Sequence, residues 1–141
     1  MVSENREAEG ADIMPVSQVP PAIKSVLVLE DNFLIALDME EMLVALGVTS
    51  VHVATTKAKA MELIADHTFD FAILDINLGD DTSFAVADAL MARGISFGFT
   101  SGYGELLALP SHLRDVPRID KPFSEGTLSS LIATAASSRD M

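Results

Sequence analysis

The chain has 141 residues, 49% of them hydrophobic, and no cysteine, which suits one globular domain and excludes disulfides and thiolate metal sites. A formal charge of −12 argues against nucleic-acid binding, which needs a basic patch. No apolar run nears the roughly 20 residues that span a bilayer. The polar start Met1-Val-Ser-Glu-Asn-Arg6 lacks a secretory pattern, so a cytoplasmic protein with no membrane partner is expected.

Residues 1–23 are polar, then carry Pro15, Pro20 and Pro21 without a period of 2 or 3.6. They read as a flexible tail, with the domain at 24–137 and a C-terminal tail at 138–141. Val26-Leu-Val-Leu29 reads as a strand buried on both faces. Ile35, Met39, Met42 and Leu46 then recur 4, 3 and 4 apart, predicting a helix with one inward stripe. Asn32 starts it and Gly47 stops it.

Val48 to Val53 is a second strand, and Thr55 or Thr56 opens a helix to about Asp66 with Ala60, Leu63 and Ile64 inward. Phe71 to Leu74 is a third strand, followed by the loop Asn77-Leu-Gly-Asp-Asp81, where Gly79 permits a turn. The next helix, from about Ser83 to Arg93, turns Phe84, Ala87, Leu90 and Met91 inward and ends at Gly94. Residues 96–100 form a fourth strand. Between Gly104 and Pro110 there is room for little more than one turn, so the fourth helix is expected to be short or irregular. Val116 to Ile119 is the fifth strand, and Ser124 caps a last helix with Leu128, Leu131, Ile132 and Ala135 inward.

Strands alternating with helices predict an α/β fold: a five-stranded parallel sheet with helices on both faces and the flavodoxin-like order 2-1-3-4-5. Ligands in such sheets bind at the carboxyl ends of the strands, where strand order reverses between the first and third. Those two ends carry Glu30-Asp31 and Asp75; the fourth ends at Ser101 and the fifth at Lys121-Pro122. Taken singly, Lys121 would be a surface lysine, Ser101 a turn serine and Asp75 a cap. Their joint arrival at one edge points to a site.

Three neighbouring carboxylates repel one another unless a cation intervenes, and Mg²⁺ suits oxygen donors with several waters retained. Asp75 is the candidate nucleophile, because a carboxylate can form an aspartyl-phosphate. Asp31 and Asp75 would hold the Mg²⁺, with Glu30 acting through water. Lys121 and Ser101 would contact phosphoryl oxygens, since phosphoryl transfer needs positioning and charge stabilisation. The Lys121-Pro122 bond is a candidate for cis. His52, His67 and His112 lack metal spacing and receive no role.

From about Lys24 to Ala136 the chain resembles a response-regulator receiver domain. The motifs that carry the resemblance are Val26-Leu-Val-Leu-Glu-Asp31, Leu74-Asp75-Ile-Asn77, Ser101-Gly102 and Lys121-Pro-Phe123. It implies Asp75 as phosphoacceptor, Glu30 and Asp31 as acidic pocket, the Asn77 backbone carbonyl as a metal ligand, Ser101 as switching hydroxyl and Lys121 as the family's lysine. Phe99-Thr-Ser-Gly-Tyr-Gly104 is similar to the Phe-Ala-Thr-Gly-X-Tyr (FAT GUY) signature of a subfamily known largely from alphaproteobacteria. That likeness implies a short fourth helix, a kinase of the HWE or related type, and stress or light signalling. Thr100 and Gly104 depart from the signature. Arg118 stands where ordinary receivers carry a switching aromatic, so Tyr103 is the candidate substitute, with Pro122 beside the lysine as a further tuning residue.

Little chain follows Ala136, so a stand-alone receiver is expected, not a turnover enzyme. It would take a phosphoryl group from a histidine kinase or phosphotransfer protein, then relay it, drain it or bind a downstream protein. Monomer or phosphorylation-linked dimer both fit. The rivals are a small Mg²⁺-dependent phosphatase and a pseudo-receiver that binds partners without phosphate. A flavodoxin-like nucleotide binder is disfavoured because Glu30-Asp31, not a glycine-rich loop, follows the first strand.

Overall fold

The apolar runs take up the expected sheet in the computed structural model, which describes residues 19–102 and 109–139, with side chains to 136. Strands β1 (Ser25–Leu29), β2 (Ser50–Ala54), β3 (Phe71–Asp75), β4 (Ser96–Ser101) and β5 (Arg118–Asp120) pair in parallel. Their order is 2-1-3-4-5. Helices α1 (Phe33–Ala45), α2 (Lys57–Asp66), α3 (Phe84–Ala92) and α4 (Glu125–Arg139) connect and flank them. The short fourth helix expected from sequence falls on residues 103–108, outside the described residues, and a 3-10 turn follows at Ser111–Leu113.

Alternation along the strands divides the core in two. Val26, Val28, Phe71 and Ile73 pack with Met39 and Leu43 of α1 and Leu128 and Ile132 of α4. Leu27, Leu29, Ala72 and Leu74 point the other way, to Leu63 and Ile64 of α2 and Val86 and Leu90 of α3. A strand covered on both faces has no solvent side, which is why these runs are continuously apolar. Each such side chain contributes about 1.5–3 kcal/mol on burial.

Caps mark the helix starts. The Asn32 side chain accepts from the N–H groups of Leu34 and Ile35, and Thr56, not Thr55, accepts from Lys59. Ser124 Oγ accepts from Thr127 N–H at 3.2 Å. Gly47, at φ 105°, leaves α1 in the left-handed region that a side chain would strain.

Several expectations shift. In α1 the buried stripe is Ala36, Met39 and Leu43, with Leu46 just past its end; Ile35 and Met42 are only half-buried. The helix is apolar nearly all round, with Phe33, Leu34 and Val44 exposed, so more than one stripe satisfies the spacing, and small Ala36 packs closest to the sheet. In α3 the same ambiguity turns Val86 inward and leaves Met91 45% exposed, with Phe84 only partly covered. β2 begins at Ser50, while Val48 is buried ahead of it. β5 begins at Arg118, after Pro117, which has no N–H to give a ladder. Val19 and Ile23 are buried in the α1–α4 core, and Val19 N–H donates to Leu46, so the packed unit reaches ahead of the boundary drawn at residue 24.

Gly98, in mid-β4, lies against α4. A Cβ there would meet Leu131 Cδ1 at 2.8 Å and Cγ at 2.9 Å. Gly98→Ala is therefore expected to destabilise the fold by about 1–3 kcal/mol in urea denaturation, as overpacking does. Adding Leu131→Ala should make the pair of substitutions less than additive.

Candidate functional site

The pocket is assembled from strand ends. Glu30 follows β1 by one residue and Asp75 closes β3; by alternation both share the α1–α4 side of the sheet with Val28 and Ile73. Lys121 follows β5 by one residue and shares that side with Ile119. Its ammonium lies 2.8 Å from Glu30 Oε1 and 3.2 Å from Asp75 Oδ2. The other Glu30 oxygen accepts from Asn32 N–H at 3.0 Å, so Lys121 and the entry to α1 each hold one oxygen of this carboxylate. Glu30 and Asp75 are 1% and 3% exposed, so two acids are held inside against one cation.

The electrostatics favour the charged lysine. Burial works to lower its pKa, but the hydrogen bond to Glu30 and the charge of Asp75 outweigh it, and the net shift is upward from 10.5. Lys121 is thus an ammonium at any physiological pH.

Asp31 stands exposed at the mouth. Oxygen atoms of Glu30, Asp31 and Asp75 lie within 4.8 Å of one another. Gly79, at φ 70°, brings the loop after β3 alongside, with its hypothetical Cβ 3.9 Å from Asp31 Oδ2. Three carboxylates facing one lysine leave unbalanced negative charge, and an all-oxygen donor set open on one side fits a hard cation such as Mg²⁺. Glu30, with both oxygens already engaged, fits water-mediated contact; Asp31 and Asp75 fit direct contact.

Ser101 is wholly buried at the end of β4, but its hydroxyl donates to Asp120 Oδ1 at 3.0 Å. Thr100 is the register partner of Asp75, and its buried hydroxyl meets no hydrogen-bond partner among the described residues. Asn77 lies two residues past Asp75, half-buried in a short antiparallel ladder with Thr82. Arg118 is exposed on the edge strand opposite Phe99, on the same side of the sheet as Asp120. The Lys121–Pro122 bond is cis, and Pro122 is exposed. Tyr103 lies outside the described residues.

Sequence reasoning passed over two features. Asp120 was one acid among 21, although its place directly before Lys121 on a strand ending at this edge was the available signal. His52 and His67 meet as tilted rings with centroids 4.5 Å apart beside Phe69, a contact between β2 and the residue after α2 that no spacing rule reveals.

No family model matches the chain. Among solved structures it is similar to SdrG from Sphingomonas melonis Fr1, at 36% identity over 86% of this chain and 100% of that one, with a TM-score of 0.70. It is also similar to the response-regulator REC domain of PhyR from Erythrobacter litoralis, at 25% identity, 80% and 89% coverage and a TM-score of 0.70. The phyllosphere-induced regulator PhyR of Methylorubrum extorquens is 31% identical over 113 residues, which are 78% of this chain. The chain spans 42% of that regulator's length. Among the described residues no helix is long and apolar enough to cross a membrane.

Cation binding should relieve the repulsion. At a concentration a hundredfold above its dissociation constant, Mg²⁺ is expected to stabilise the fold by about 2.7 kcal/mol. Thermal melts with Mg²⁺ or with EDTA check this. Asp31→Asn should melt no lower than the parent chain in EDTA and gain little from Mg²⁺.

Proposed function

We propose that this chain, which belongs to the response-regulator receiver family, accepts a phosphoryl group on Asp75 from a phosphohistidine donor. The observation that carries the reading is the placement of Lys121 within 2.8 Å of Glu30 and 3.2 Å of Asp75, beside an acidic cluster open to solvent through Asp31. An Asp75 carboxylate oxygen attacks the phosphorus. A P–O bond forms, the P–N bond breaks, and its electron pair stays on the imidazole, which takes a proton from water. Lys121, already ordered and charged, faces the growing negative charge without reorganising. Glu30 holds Lys121 from the far side and so aims it at Asp75. Asp31 and Asp75, with the Asn77 carbonyl as the further ligand the family resemblance implies, would hold a Mg²⁺ ion, which would neutralise charge on the phosphoryl oxygens.

The modification adds roughly −1.5 to −2 charge and three acceptor oxygens. Moving a population from 1:99 to 99:1 takes about 5.5 kcal/mol of differential stabilisation, within reach of new bonds to Lys121 and a switching hydroxyl. The product is a signal carried by one chain, not a released metabolite. Asn77 stands where an aspartyl-phosphate phosphatase would need a carboxylate for acid–base work. We place the chain in the FAT GUY subfamily on Phe99-Thr-Ser-Gly-Tyr-Gly104, with a histidine kinase of the HWE or related type, a phosphotransfer protein, or both as donors. Likeness to PhyR, a stress response regulator, supports stress signalling through a downstream protein.

Incubation with Mg²⁺ and acetyl phosphate, or with a phosphorylated kinase, should load one phosphoryl group per chain, and EDTA should prevent it. Asp75→Asn should abolish loading while leaving the amide NMR spectrum folded. Labelling retained in Asp75→Asn would refute the assignment, and steady release of phosphate over many turnovers would favour the phosphatase.

A further inference from the structure

Consecutive residues at the end of β5 serve opposite sides of the sheet. Lys121 turns to Glu30 and Asp75, while Asp120 turns to Ser101, its register partner on β4. The Ser101 hydroxyl donates to Asp120 Oδ1 at 3.0 Å, and the Lys121 N–H donates to the Ser101 carbonyl at 2.9 Å. Ser101 is wholly buried, whereas Asp120 is exposed. The hydroxyl is therefore committed to a charged acceptor that is not part of the acidic cluster.

A serine hydroxyl has one proton and serves one acceptor at a time. We propose that Asp120 is a positioning residue that holds the Ser101 hydroxyl away from the Asp75 pocket until a phosphoryl group competes for it. The proposal rests on the reading of Asp75 as phosphoacceptor. Release of Ser101 costs a charge-assisted bond. That cost is bounded because exposed Asp120 regains water at once, and a phosphoryl dianion offers a stronger acceptor in exchange. Asp120 thus sets a threshold. The response of the chain to modification is reduced by the fraction of molecules whose hydroxyl remains held, and removing the competitor removes that reduction. Ser101 and Asp120 sit across the same strand pair whose following residue, Lys121, touches the phosphoacceptor, so release of one is felt at the other through a single peptide unit.

Beryllofluoride with Mg²⁺ serves as the phosphoryl probe, titrated by NMR into the full chain and its Asp120→Ala, Ser101→Ala and doubly substituted variants. Asp120→Ala is expected to bind about tenfold tighter, the factor a hydrogen bond to a charged acceptor carries. Asp120→Asn, which keeps the shape and loses the charge, should fall between it and the parent chain. In the Ser101→Ala background the Asp120→Ala gain should vanish. Equal or weaker binding by Asp120→Ala overturns the proposal, as does a gain that persists without the serine hydroxyl, which would assign the effect to charge alone. Absence of beryllofluoride binding to the parent chain would instead overturn the phosphoacceptor reading itself.

Discussion

One ammonium between two buried carboxylates governs this fold's functional edge. Glu30 and Asp75 are almost wholly enclosed, and a buried carboxylate with no partner is costly. Lys121 at 2.8 and 3.2 Å sets one cation against both and ties the ends of β1, β3 and β5 together. A pair buried this deeply is weak evidence for net stability, because desolvation offsets much of the attraction. Its value is positional: it orients the Asp75 carboxylate and sets a fixed cation against it.

The remainder of the architecture delivers those three side chains to one place. Parallel pairing fixes which residues are level: Asp75 with Thr100, and Ser101 with Asp120. Strict alternation then sorts them, sending Glu30, Asp75 and Lys121 to the α1–α4 side and Ser101 and Asp120 to the other. A slip of one residue in any strand would exchange these sets, and the two apolar cores prevent it, since a slip would also turn every core side chain to the wrong face. The core thus sets the chemistry through register.

Much of this was legible in the sequence because the central strands β1, β3 and β4, buried on both faces, read as short apolar runs that end at Glu30, Asp75 and Ser101, with Lys121 at the end of the next strand. The order 2-1-3-4-5, the Asn32 cap and the meeting of Glu30, Asp31, Asp75 and Lys121 follow from that pattern. What stayed hidden shares a cause. In α1 and α3 apolar residues occur on nearly every face, so periodicity does not choose between Ile35 and Ala36, or between Met91 and Val86, and only packing against the sheet decides. Val19 and Ile23 were masked by Pro20 and Pro21, which read as linker. The place of Asp120 before Lys121 was a signal for the edge, but its bond to Ser101 depends on the register of two strands, which the local sequence does not carry.

The most direct measurement of the central claim locates the acyl phosphate chemically. After exposure to Mg²⁺ and acetyl phosphate, borohydride reduction converts a phosphorylated aspartate to homoserine, which peptide mass spectrometry places in the chain. Homoserine at position 75, with Glu30 and Asp31 unmodified, is the predicted result. Homoserine at position 31, or none at all in a chain that has bound Mg²⁺, would contradict it.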